Sequence, residues 1–128
     1  MKTVTPMRQA RGLGSARTGA HHWWLERLTS VSTLILFIWF LVALARLPAY
    51  DHATIVQWLS QPLAAVPMIL LIASTFWHLK LGLIVIIEDY EHESLRLLLV
   101  TLTNFLAILG AALAIFSVVK IALMGSAA

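Results

Sequence analysis

Apolar residues run along this chain in three unbroken stretches rather than in the strict alternation of a strand or the one-sided stripe of a soluble helix. Leu28 to Ala45, His52 to Leu79 and Leu97 to Val119 cover 18, 28 and 23 residues without Asp, Glu, Lys or Arg. A hydrocarbon core of roughly 30 Å needs about 20 helical residues, so each stretch can cross a bilayer. A β-barrel would instead repeat alternating strands of about ten residues separated by turns. Pro48 is placed to stop the first helix and Pro67 to start the second. The polar run Glu88-Asp89-Tyr90-Glu91-His92-Glu93-Ser94-Leu95-Arg96 divides the second from the third. The pattern predicts an all-α membrane protein of three transmembrane helices, over about 24–47, 67–88 and 97–121. A polar, basic N-terminal tail over 1–23 and a short C-terminal tail over 122–128 complete the expected layout.

Composition agrees with this and removes several classes of function. The chain has 128 residues, 60% hydrophobic and 12% charged, which excludes an ordinary soluble enzyme and a disordered segment. With no cysteine it cannot by itself hold a disulfide, a thiolate zinc site or a cysteine-ligated iron–sulfur cluster. The net charge of +3 reads as topology rather than as nucleic-acid binding, because five of the nine cations (Lys2, Arg8, Arg11, Arg17, Arg27) precede the first apolar stretch. That places the N-terminus and the 88–96 connection inside, with the 48–67 connection and the C-terminus outside. Trp58 in the outer connection is expected at the headgroup level. The first stretch ends at Ala45-Arg46-Leu47-Pro48 without a small-residue cleavage site, so an uncleaved first helix is expected rather than a signal peptide.

Ionisable side chains inside a bilayer are the natural place to look for chemistry. His78 and Lys80 both fall inside the second helix, but two residues turn a helix by about 200°, so they face opposite ways. Lys80 is expected to serve structure or assembly. Imidazole at position 78 has two readings at this point: a hydrogen-bonded core residue, or an axial ligand of haem iron. No other histidine falls within the three spans, so a bis-histidine haem needs its second ligand from another chain. Eleven residues separate His78 from Asp89, about three turns and roughly 16 Å on a continuous helix, which aligns a mid-membrane group with the inner surface. Tyr90 follows, suited to hydrogen-bonding a polar head, although the acidic run also reads as a solvated loop with an interfacial tyrosine. Arg27, at the other inner boundary, reads as a topology cation or as a partner for a propionate or a quinone oxygen. His21 and His22 make a weaker candidate pair. Thr29, Ser30, Ser32 and Thr33 read as interhelical hydrogen-bonding groups, and Ala107, Gly110, Ala111 and Ala114 as a small-residue stripe for close helix approach, within this chain or toward another subunit.

Taken in order, His78-x-x-x-Gly82 and Glu88-Asp89-Tyr90 resemble the haem-ligand helix and Asp-Tyr quinone motif of succinate dehydrogenase membrane anchors, specifically the smaller hydrophobic anchor of that complex. Gly14-Ser15-Ala16, Gly19-Ala20-His21-His22-Trp23-Trp24 and Arg27-Leu28-Thr29 resemble that family's entry into its first helix. The resemblance covers almost the whole chain. It implies a polypeptide that anchors a flavoprotein subunit and an iron–sulfur subunit in the membrane beside a companion cytochrome b anchor. The complex passes electrons from succinate oxidation in the tricarboxylic acid cycle to ubiquinone, and this non-flavin chain does not oxidise succinate by itself. It further implies His78 as one axial ligand of haem b, Tyr90, Asp89 and Arg27 at the quinone site, and Arg27 with His21 near the haem propionates. Lys80 has no role in the motif. The short tail favours a bacterial cytoplasmic membrane over a mitochondrial inner membrane. A fumarate reductase anchor, and a small transport or assembly protein with His78 and Lys80 along a polar path, are the alternatives.

Overall fold

The computed structural model describes residues 7, 17–90 and 94–125. Most of the expected basic tail, Glu91-His92-Glu93 of the acidic connection and the last three residues lie outside them. Among the described residues four helices follow one another: α1 Arg17–Ala45, α2 His52–Leu59, α3 Pro62–Tyr90 and α4 Ser94–Met124. There is no strand among the described residues. Three of the helices, α1, α3 and α4, are long and apolar enough to cross a membrane, and the chain is an all-α membrane protein.

Local chemistry sets the helix ends, and in places moves them from the expected positions. At the end of α1, Arg46 and Leu47 donate to the carbonyls of Ala43 and Leu44 at 3.2 and 3.0 Å, tightening the last turn before Pro48 bars continuation. At its start α1 reaches back to Arg17 rather than beginning near residue 24. Between them only Gly19 opposes a helix, by about 1 kcal/mol. The 48–67 connection is also more ordered than expected. Asp51 caps α2, its carboxylate accepting from the Thr54 amide at 3.3 Å and the Thr54 hydroxyl at 2.6 Å. These bonds, the hydroxyl's first, hold the Asp51 carboxyl below its usual range. The cap is therefore at full strength above the ordinary carboxylate range and is lost as pH falls through the lowered value.

The second long helix begins at Pro62, five residues before the expected Pro67. Pro62 occupies the first turn, where its missing N–H costs nothing, and Ala64 and Ala65 both donate to the Gln61 carbonyl at 2.9 Å. Pro67 then sits inside the helix, where the bond it cannot make is to the carbonyl of Leu63, a residue 87% exposed at the end of the span.

The three long helices form an open row with α3 in the middle. α3 packs on α1 along one side and on α4 along the other, while α1 and α4 do not approach each other. Beside the 48–67 connection, Leu59, Ala65 and Val118 join α2, α3 and α4 in a small buried cluster, and Trp58 stacks on Trp39 of α1 with centroids 6.2 Å apart. Trp58 thus packs against its own chain.

Along the α3–α4 seam the small-residue stripe is used within this chain. A Cβ on Gly110 would lie 2.6 Å from the Phe76 ring, and Ala107 and Ala111 line the groove beside it. Gly110→Leu is accordingly expected to weaken the seam by about 1–3 kcal/mol, the usual cost of overpacking. A lowered thermal midpoint of the detergent-purified protein, larger than that of Gly110→Ala, would be the measured sign; an unchanged midpoint in both would show that Phe76 swings aside freely.

Candidate functional site at the seam of α1 and α3

Two polar stripes meet where α1 passes α3. On α1, Thr29, Ser32 and Thr33 fall at helical spacing, and on α3, Ser74 and His78 are one turn apart. The Ser74 hydroxyl lies 3.0 Å from Ser32 Oγ and 2.6 Å from Thr33 Oγ1, and 3.5 Å from the carbonyl of Thr29. One turn further, Thr29 Oγ1 lies 3.2 Å from His78 Nδ1. As numbers rise on α1 they fall on α3, so the two helices run antiparallel. Ser30 stays outside this seam and bonds only the Glu26 carbonyl of its own helix.

His78 is half-buried, and among the described residues its Nε2 has no hydrogen-bond partner. Gly82, one turn further along nearly the same face, would direct a Cβ into open space with no atom within 4 Å. A ring nitrogen without a partner beside a side-chain-free stretch of backbone suits a flat macrocycle held through the imidazole. No group of three His, Cys, Asp or Glu is gathered among the described residues, so any metal bond here comes from His78 alone and the remaining ligands from elsewhere.

The other candidate residues are distributed along the same half of the molecule without being joined. Since α3 runs unbroken to Tyr90, Asp89 lies about 16 Å along the axis from His78 and on nearly the same face. Asp89 and Tyr90 are exposed at the helix end, Tyr90 at 80%. Arg27 is two residues from Thr29 and therefore turned away from His78; its guanidinium lies 4.5 Å from the Trp23 ring centroid. It lines an open depression with Trp23, Glu26, Ser30 and Val31. His21 is exposed one to two turns earlier on α1. No hydrogen bond or ion pair links His21, Arg27, Asp89 or Tyr90 to one another among the described residues.

Lys80 faces away from the seam, as the spacing predicts. Its ammonium sits 4.4 Å from the Trp77 ring centroid, in the α3–α4 groove, with no carboxylate partner among the described residues. Glu88, by contrast, is paired with Arg96 at 2.7 Å, both side chains about half exposed. Reading residues singly missed the Thr29–His78 and Ser74 contacts. The signal was available in the two matched stripes, hydroxyls at i, i+3 and i+4 on one apolar helix and Ser and His at i, i+4 on the next.

Residues 1–119 match the family described as succinate dehydrogenase/fumarate reductase transmembrane subunit. Among curated relatives, the succinate dehydrogenase hydrophobic membrane anchor subunit of Rickettsia bellii (strain RML369-C) is 32% identical over 82 residues, 64% of this chain and 66% of that protein. The subunit of the same name from Rickettsia conorii is 29% identical over 78% of this chain and 81% of its own length. The one from Paracoccus denitrificans is 27% identical over 75% and 74%. No solved structure matches the chain.

Proposed function

Because the chain belongs to the succinate dehydrogenase/fumarate reductase transmembrane subunit family, we propose that it is the membrane anchor subunit of a succinate:ubiquinone oxidoreductase and helps bind haem b and ubiquinone. The names of its relatives support the anchor role. The observation that carries the haem assignment is His78 itself: half-buried in α3, held at Nδ1 by Thr29, with Nε2 free beside Gly82. Haem b, shared with the companion cytochrome b anchor, supplies a one-electron redox centre in the membrane. His78 would hold its iron from this chain, and Arg27 with His21 would provide positive or polar groups toward its propionates.

At the inner end of the same helix, Tyr90 donates its hydroxyl hydrogen to a quinone carbonyl oxygen, and Asp89 orients that site. Arg27 completes it from α1. The quinone takes up two electrons and two protons to become quinol, so the residues holding its oxygens set where the protons are delivered. Succinate oxidation belongs to the flavoprotein subunit, and the iron–sulfur centres belong to a cysteine-bearing partner, since this chain has none. The excess of cations before α1 supports an N-terminus on the side of those partners, and a bacterial cytoplasmic membrane is the setting of this reading.

Purification of the tagged chain from detergent-solubilised native membranes tests the whole reading. Covalent flavin and a b-type haem are expected in the same preparation, with succinate-dependent ubiquinone reduction. Flavin without haem would retain the anchor and remove the ligand role of His78. Neither flavin nor haem in an intact preparation would overturn the reading in favour of a transport or assembly protein.

A further inference from the structure

Thr29 Oγ1 is within hydrogen-bonding distance of three groups: the Leu25 carbonyl at 2.8 Å, the Glu26 carbonyl at 3.0 Å and His78 Nδ1 at 3.2 Å. A hydroxyl has one hydrogen to give, whereas a carbonyl can only accept. The hydrogen therefore goes to the nearer carbonyls of its own helix, a back-bond common for threonine in helices. What remains toward His78 is an oxygen lone pair. Nδ1 must then be the protonated nitrogen of the ring, and Nε2 the one with a free pair of electrons.

We infer that Thr29 is a positioning residue for His78, fixing the tautomer and ring orientation in which Nε2 is offered to iron. The inference rests on His78 being a haem ligand and adds the group that acts on it. Two features make the arrangement rigid. The β-branched side chain has few rotamers in a helix, and Ser74, bonded to Ser32 and Thr33 one turn away, locks the register of α1 on α3 so that Thr29 stays opposite His78. An imidazole whose distal N–H is given to an acceptor is a stronger electron donor to ferric iron, so Thr29 also biases the haem toward its oxidised form.

The test uses the intact complex with Thr29→Val, which keeps the shape and removes the oxygen, and Thr29→Ala and Thr29→Ser beside it. Haem is expected to dissociate from the Val and Ala complexes about 10- to 100-fold more readily. Its midpoint potential should move upward and its ferric low-spin resonance spectrum should shift, while Ser restores all three. His78→Ala in the same series separates the two claims. Wild-type potential and spectrum in Val and Ala, with haem lost only in His78→Ala, would overturn the role of Thr29 and leave the ligand standing. Haem retained in His78→Ala, or absent from wild type, would overturn both. Should Val and Ala fail to assemble, nitrogen magnetic resonance of the dithionite-reduced, histidine-labelled wild type decides the question: a protonated Nδ1 on His78 supports the inference and a bare Nδ1 overturns it.

Discussion

Replacing His78 by alanine is expected to remove the b-type haem signal from the reduced-minus-oxidised spectrum while covalent flavin remains at its wild-type ratio to protein. The asymmetry follows from where the histidine sits. His78 is within the α1–α3 seam, and in the proposed complex the flavin would belong to a subunit outside the membrane, so the two cofactors would report on different parts of the assembly. On the proposed reading, the substitution takes away the metal bond that His78 would supply from this chain, and the haem would be left with the companion anchor's ligand alone. It also leaves the Thr29 oxygen without the N–H it accepts, but Thr29 keeps its own bonds to the Leu25 and Glu26 carbonyls, so the seam survives through Ser74. Haem at the wild-type level in the mutant would contradict the assignment directly.

Tyr90→Phe is expected to lower succinate-dependent ubiquinone reduction by about 10²-fold, the scale of losing one hydrogen-bond donor to an oxygen on which charge develops. Succinate oxidation by a dye that accepts electrons ahead of the membrane should be unchanged. The substitution keeps the ring, and Tyr90 is largely exposed at the end of α3, so no buried packing is lost with the hydroxyl. The comparison of two acceptors is what gives the experiment force, because a general assembly defect would lower both. Ubiquinone reduction within a few-fold of wild type would remove Tyr90 from the quinone site.

The three spans were legible in the sequence because a bilayer demands a length of apolar helix that nothing else in a chain this small requires. His78 and Lys80 stood out for the same reason, as polar groups where hydrocarbon penalises them, and the Asp89-Tyr90 pair by its eleven-residue spacing from His78. What could not be read was how the helices divide their neighbours. The period of α3 says that His78 and Lys80 face apart, but only packing says that one meets Thr29 and the other the groove beside α4. Pro67 misled because proline marks both a helix start and a tolerated interior position near a span's end. The helix α2 was hidden in what resembled a loop, since its eight residues are organised by the Asp51 cap and by Leu59 packing on Ala65 and Val118 rather than by any long apolar period. Among the described residues, Arg27, His21, Asp89 and Tyr90 remain apart within this chain.

The pairing of α3 with α4 has a consequence for how the protein enters the membrane during synthesis. A lysine near the centre of a lone helix costs roughly 2.5–3.5 kcal/mol to insert, and α3 carries Lys80 there. Only three residues separate the end of α3 from the start of α4, and Glu88 and Arg96 clasp the two across that junction. The two helices can therefore leave the insertion machinery as a hairpin, with Lys80 already against Trp77 in the groove that α4 closes. In that role the last helix, which supplies none of the residues proposed to bind haem or quinone, acts as an escort that lets the histidine-bearing helix reach its place.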